Sequence, residues 1–306
     1  MFVPYVEPPG PMPVAGWIWC ERPAARRGAD LACRECLCSL SRAAATAAAA
    51  AAGQSRSSHP HQTHCPADQG EANAGNPVYA CELTALIAAW RAAFAAPAAW
   101  FGVVQLAAWD CCGGSAIALT RDIQLNVSLA VPNVGFATAA DLGDIASPQS
   151  SIHPRFKQQV GARLASSRLA AMAGGADPLV NPRVAFVSPA SAPPGSVAVA
   201  VAFEPASLGP GRLVLNSTLS ACPAGVPSYN CETGGFMVQT AADGAWRNAT
   251  ASLSADGRAL TLTAPADAAA GEAAAASLGW SSWPLLQLSR GDTGQVVLPF
   301  LRPVLH

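Results

Sequence analysis

Charge is the scarcest commodity in this sequence. Only 12% of its 306 residues are Asp, Glu, Lys or Arg, lysine is scarce, and the formal net charge is −1. Phosphate contacts need clustered Lys and Arg, so a nucleic-acid partner is not expected. Long apolar runs are missing too. None reaches the roughly 18 residues of a membrane span, so no membrane span is expected. The first residues, Met1-Phe2-Val3-Pro4, carry neither a basic region nor an apolar core of signal-peptide length. What is plentiful is apolar surface: 51% of the chain is hydrophobic, enough to build the core of one or two domains. Alanine is abundant in a way that fits GC-rich coding, and its runs carry little functional meaning.

Ten cysteines are many for a cytosolic enzyme, and they are unevenly spread. Cys20, Cys33, Cys36, Cys38 and Cys65 lie in or beside one unusual segment. Cys111 and Cys112 are adjacent and are not expected to bridge each other. Cys222 and Cys231 flank a Pro/Gly/Asn-rich loop and could close a small disulfide hairpin. Glycosylation sequons occur at Asn126, Asn216 and Asn248. A secretory history would require a signal peptide that these residues do not show.

Met12 to Cys20 is a near-continuous apolar run that suits a buried strand. From Glu21 to about Asp68 the character changes to Arg and Cys clusters, an alanine tract and a Ser/His/Pro tail. This segment is expected to be an irregular, disordered insertion. After Gln69, Tyr79, Leu83, Leu86, Ile87, Trp90 and Phe94 recur at steps of three and four, giving a helix that Pro97 stops. Trp100 to Leu106 reads as a second buried strand. Gly113-Gly114 breaks the chain, Ala116, Leu119, Ile123 and Val127 suggest a second helix, and Val134 to Leu142 reads as a third strand. Pro154 fits the first position of a third helix through Phe156, Val160 and Leu164, ended by Gly174-Gly175.

Strand and helix alternate three times, which implies a parallel sheet with right-handed crossovers. From about Arg183 the period switches to two. Val197, Val199, Val201 and Phe203 alternate with alanine, Leu213 with Leu215 and Leu260 with Leu262, and Asp256-Gly257 is a hairpin turn. The expected fold is α/β: a three-layer parallel-sheet part followed by an antiparallel β domain. Residues 1–20 supply the first strand, 21–68 the insertion, 69–180 the remainder of the α/β part, and 181–306 the β domain.

Sites in open parallel sheets form beyond the carboxyl ends of the strands. With the insertion looped out, Gln69-Gly70-Glu71-Ala72-Asn73 follows the first strand, and Asp144 and His153 follow the third. His153 stands before a helix start, whose positive end favours the neutral imidazole a general base needs. On spacing alone a surface helix-cap histidine is the commoner reading. Gly70 would let backbone amides approach an oxyanion and Asn73 could donate to it. Glu71 is either an acid/base group or a turn anchor. Two other constellations are weaker. Cys33, Cys36 and Cys38 with His59, His61, His64 and Cys65 have metal-ligand residue types but no recognisable zinc spacing. Gly53-Gln54-Ser55 looks like a serine turn but follows an alanine tract, not a strand.

Several ordered motifs together carry a resemblance. Val14 to Trp19 joined to Gln69-Gly70-Glu71-Ala72-Asn73-Ala74 resembles the strand and W-Y-Q-G-E-S/A-N turn of sialate O-acetylesterases and related carbohydrate acetylesterases of the SGNH hydrolase class. Leu86 to Arg91 is similar to that family's L-I-x-x-W-R helix, and Phe101 to Leu106 to its F-x-x-V-Q-L strand. Asp141-Leu142-Gly143-Asp144 with Ile152-His153-Pro154-Arg155-x-Lys157 resembles its D-x-x-D…I-H-P-x-x-K block. Trp280 to Pro284 and Leu298 to Leu301 resemble its tryptophan-rich late segment.

The resemblance implies serine-type hydrolysis of O-acetyl esters on sialic acid or other sugars, an O-acetylated carbohydrate partner and no cofactor or metal. His153 matches the catalytic base, and Gln69, Gly70, Glu71 and Asn73 fall in the block lining the oxyanion and substrate site. The family's G-Q-S-N serine turn is missing and is expected upstream of Met1. Ser150 and Ser151 occupy the place of the acid before the histidine, leaving Asp144 as a substitute acid. The expectation is a C-terminal piece of such an enzyme, with residues 21–68 translated from an intron. Expressed alone it would aggregate or lack esterase activity, and a full-length form would be secreted, lysosomal or vacuolar. The alternative is a carbohydrate-binding or scaffold remnant without chemistry.

Overall fold

The computed structural model describes the backbone of residues 16–19 and the full chain over 70–174, 180–219, 221–266 and 271–306. The expectations for residues 21–68, including the cysteine–histidine cluster and the Gly53-Gln54-Ser55 turn, lie outside these residues, and so does Gln69.

Three parallel strands form the first sheet: β1 (Gly16–Trp19), β2 (Trp100–Gln105) and β3 (Val134–Thr138), in that order across the sheet. Trp19 pairs with Val103, and Gln105 with Thr138. Helices α1 (Tyr79–Ala93) and α2 (Ala116–Ala130) pack on one face, where Tyr79, Leu83, Ile87 and Leu125 meet Phe101, Val103 and Phe136. Helix α3 (Lys157–Met172) covers the other face, where Val160 and Leu164 meet Trp100, Val104 and Ala137. The expected alternation and its parallel sheet are therefore present.

The helix ends have local causes. Helix α1 stops at Phe94, three residues before Pro97, and Arg91 ties it to the sheet by donating to the carbonyls of Ala99, Pro132 and Asn133. Trp100 is nearly buried under α3, and Gly102 and Gly135 make room for it. A Cβ on Gly102 would lie 2.6 Å from the indole, and one on Gly135 would also strike it.

Two expectations need correcting here. Helix α3 does not begin at Pro154 but at Lys157. The N–H and guanidinium of Arg155 both donate to the Asp144 carboxylate, which holds residues 154–156 in a turn. His153 therefore stands four positions before the helix, and the dipole argument for its neutrality loses its basis. The buried face of α2 is only partly the expected one: Val127 is buried and Ile123 packs on the core as expected. Leu119 is exposed, and Ile117, Arg121, Gln124, Leu125 and Ser128 point inward.

The second half is antiparallel, as the period-two patterns require. Strands β4 (Val184–Ala190), β5 (Ser196–Phe203), β10 (Leu260–Pro265) and β9 (Thr250–Leu253) form one four-stranded sheet. Strands β13 (Phe300–Pro303), β11 (Ala273–Leu278), β7 (Phe236–Thr240) and β8 (Trp246–Asn248) form another. Val187, Val199 and Val201 from the first share a core with Val238, Ala276 and Phe300 from the second, so the two sheets make a sandwich. The short pair β6 (Leu213–Leu215) and β12 (Leu288–Arg290) adds a ribbon. Gly257 takes the left-handed conformation the β9–β10 turn needs.

Candidate functional site

The polar motifs gather where the first sheet's carboxyl ends lie. Gly70 adopts φ 99°, a conformation open to glycine, and starts a single 3-10 turn over Glu71–Asn73. The turn is closed by the Asn73 N–H donating to the Gly70 carbonyl at 3.0 Å. Asn73 Oδ1 accepts from Asn76 Nδ2 at 3.4 Å. Glu71 is nearly buried and lines a cavity of about 60 Å³ together with Gln105, Gln124, Lys157 and the two residues flanking His153, Ile152 and Pro154. The segment after β1 and the segment after β3 thus share one cavity, as expected. Gln105 Oε1 in its wall is buried with no hydrogen bond among the described residues.

His153 itself does not line this cavity. Its side chain is exposed, and its ring makes no hydrogen bond to the described residues. Its backbone is well held. The N–H donates to the Ser150 carbonyl at 2.9 Å, and its carbonyl accepts from Ser147 Oγ at 2.7 Å. Ser150 reverses the chain with φ 75°.

Asp144, expected to stand in as the acid partner of His153, faces Arg155 instead. Its two oxygens accept from Arg155 Nε at 2.6 Å and Nη2 at 2.9 Å. A bidentate guanidinium outcompetes an imidazole for a carboxylate. Those hydrogen bonds hold the Asp144 carboxyl below its ordinary range, against a smaller opposing effect of burial. A folded carboxyl that titrates below its unfolded value stabilises the loop fully above pH about 4, and loses that contribution as the pH falls through the lower folded value. The difference in unfolding midpoint between the natural chain and Asp144→Asn should therefore be present at neutral pH and shrink towards zero in acid. A pH-independent difference would show that the ion pair contributes nothing.

A third segment, between β2 and α2, was not singled out by the motifs. Ser151, nearly buried, donates to Asp110 Oδ1. Cys111 packs against a small cluster of Leu106, Trp109 and Ile117, as do Ala74 and Ile152. Cys111 and Cys112 are bridged, contrary to expectation, with Cα atoms 3.7 Å apart. Cys112, Gly113 and Gly114 follow one another in left-handed conformations and turn the chain just before α2. The expected Cys222–Cys231 bridge is present, with Cα atoms 5.7 Å apart.

Arg121 joins this segment to the β sandwich. Its guanidinium donates to the carbonyls of Leu106 at 2.8 Å, Ala107 at 2.7 Å, Ser281 at 2.7 Å and Ser282 at 2.9 Å. Complete burial pushes it down to about 9, and the nearby Glu71 charge opposes that fall. It stays charged at neutral pH. Gln124 completes the group, accepting from the Leu106 N–H at 3.0 Å and donating to the Tyr79 hydroxyl at 3.2 Å. Arg121 and Gln124 were missed by the motif reading. The available signal was a pair of polar residues three apart on an otherwise apolar helix face.

No family model matches the chain. A parallel layer with helices on both faces, polar loops at its carboxyl edge and a β sandwich behind it is similar to a solved structure, a novel carbohydrate acetylesterase from Xanthomonas citri. The TM-score is 0.56 at 28% identity, over 76% of this chain and 48% of that one. The class is therefore that of carbohydrate acetylesterase relatives. More particularly, the chain is 38% identical over 112 residues to sialate O-acetylesterase of Rattus norvegicus, a match covering 31% of this chain and 21% of that protein. It is a partial relative of the sialate O-acetylesterase and carbohydrate acetylesterase family, spanning about half the length of the solved relative and about a fifth of the curated one. No helix among the described residues is long and apolar enough to cross a membrane.

Proposed function

We propose that this chain supplies the base and oxyanion sides of an SGNH-class esterase site acting on O-acetyl esters of sialic acid or other sugars. The observation that carries this reading is the shared cavity: Glu71 from one motif and the two neighbours of His153 from the other line the same wall. In the proposed reaction a serine oxygen attacks the acetyl carbonyl while His153 takes its proton. The amides of the Gly70 turn, with Asn73, stabilise the charge on the carbonyl oxygen. Glu71 lines the cavity, and Gln69, which the resemblance places in the same motif, is assigned to the substrate with it. The sugar hydroxyl leaves with the proton returned by His153, and water then releases acetate from the acetyl-serine.

No described serine donates to the His153 ring, and the attacking hydroxyl is taken from the G-Q-S-N serine turn that the resemblance implies and these residues lack. The purified chain is therefore expected to be silent towards a fluorophosphonate probe and towards an O-acetylated sialic acid. Joined to a segment that carries a G-Q-S-N serine turn, it should gain turnover. His153→Ala should then remove turnover by about 10²- to 10⁴-fold. Turnover unaffected by His153→Ala would end the proposal. The pairing of Asp144 with Arg155 and the exposed His153 ring favour a second reading, a non-catalytic carbohydrate-binding scaffold. The joined protein would then bind the O-acetylated sugar without cleaving it.

A further inference from the structure

Glycosylation sequons stand at Asn126, Asn216 and Asn248, and the fold presents them differently. We propose that Asn216 is an N-glycosylation site, accepting an oligosaccharide from a lipid pyrophosphate donor, and that Asn126 is closed to the same transfer. Neither statement depends on whether the chain cleaves an ester.

Asn216 follows β6, and its backbone N–H donates to the Gln287 carbonyl at 2.7 Å. It opens an exposed run, residues 216–219. Its Oδ1 accepts from the Thr218 N–H at 3.1 Å and from Thr218 Oγ1 at 2.6 Å. A backbone N–H can only donate, so these bonds fix which amide atom is the oxygen. Nδ2 makes no hydrogen bond among the described residues. The turn uses only the sequon's own atoms, so it is open to the chain before the sandwich assembles. Asn126 sits inside helix α2 instead. Its Nδ2 donates to Asp122 Oδ2 at 3.0 Å, and the nearly buried Ser128 donates its hydroxyl to the Gln124 carbonyl at 2.8 Å. Both groups that a transferase must engage are already bonded, and the helix would have to open to free them. Asn248 is intermediate. It is exposed at the end of β8, but the Thr250 hydroxyl donates to the Thr263 carbonyl at 3.2 Å. The Cys111–Cys112 and Cys222–Cys231 bridges are an independent sign, because disulfides persist in the oxidising secretory compartments where such transfer takes place.

In the transfer, Asn216 Nδ2 attacks the anomeric carbon of the donor sugar. A carbon–nitrogen bond forms, and the bond from that carbon to the pyrophosphate oxygen breaks. The lipid pyrophosphate leaves with the electron pair, and Nδ2 gives one of its two protons to a base of the transferase. Nothing is oxidised or reduced. An amide nitrogen is a poor nucleophile because its lone pair is delocalised into the carbonyl. The two Thr218 donors on Oδ1 draw electron density towards the oxygen and make the Nδ2 proton easier to lose.

The test is site occupancy in the full chain, expressed in a eukaryotic cell behind a cleavable secretion signal. Peptide N-glycosidase in heavy-oxygen water converts each glycosylated Asn to a mass-labelled Asp, so peptide masses read the sequons separately. Occupancy is read on every chain whose signal has been cut off, secreted or retained, so poor folding does not hide the result. Asn216 should be occupied in most of these chains and Asn126 in few. Asn216→Gln and Thr218→Ala should each remove the glycan from this site, whereas Thr218→Ser keeps a hydroxyl and should keep most of it. Ser128→Thr gives Asn126 the same N-x-T form as the other two sequons. Asn126 should still be empty in the secreted variant, which separates the effect of the fold from that of the sequon's third residue. An empty Asn216, or an Asn126 filled as fully as Asn216 in the natural chain or in secreted Ser128→Thr, overturns the proposal.

Discussion

Arg121→Met should cost this chain roughly 3–5 kcal/mol of stability, a large part of what holds an ordinary domain folded. The side chain is fully buried and satisfies four carbonyls, two from the segment after β2 and two from the segment before the last strands. Methionine fills similar volume but donates nothing, so four acceptors lose a charged donor, and only the Ser282 carbonyl keeps a backbone partner, the Trp109 N–H. Glu71 also loses a nearby positive charge. Arg121→Lys should be intermediate, at about 2 kcal/mol, because three ammonium donors cannot reach four carbonyls set for a planar fork. Urea unfolding of the three proteins measures this directly. A loss in Arg121→Met below about 1 kcal/mol would show that the two halves are held together by packing alone.

Where the sequence was informative, a period or a turn residue set the structure. Steps of three and four placed α1 to the residue at its start, and alternate valines placed β5. Gly70 and Gly257 marked turns because their φ values are ones that glycine adopts without strain. The failures share one cause: long-range polar contacts that leave no periodic trace. Pro154 looked like a helix start, but the Asp144–Arg155 pair across eleven positions overrode it. Leu119 looked like core, but α2 is rotated so that Arg121 and Gln124 reach the segment after β2. Asp110 and Ser151 are 41 positions apart, and neither stands out from its neighbours. The sharing of one cavity by the Glu71 and His153 segments was legible, because sheet topology alone brings their ends to one edge.

That dependence on distant contacts predicts a second large effect. Gly143→Ala should destabilise the chain by about 1–3 kcal/mol although alanine is the smaller of changes available there. The added Cβ would stand 2.7 Å from the Ala108 Cβ and 2.7 Å from Trp283 Cζ2. Neither side can give way easily. Trp283 donates its backbone N–H to the Asn230 carbonyl at 2.9 Å and packs among Ala108, Val226, Leu285 and Cys231, which is itself bridged to Cys222. The loop bearing Gly143 is pinned at both ends, Asp141 to Arg163 and Asp144 to Arg155. The strain is therefore shared between the Trp283 pocket and the loop that carries His153. A double-mutant cycle separates this contact from a general loop effect. In a Trp283→Leu background the cost of Gly143→Ala should fall by about 1 kcal/mol or more, since the atoms it strikes are gone. Additive costs in the unfolding midpoints of the four proteins would mean that Gly143 is needed for its own backbone and not for the tryptophan. The coupled result would mean instead that the sandwich, through one indole, sets the position of the loop on which His153 stands.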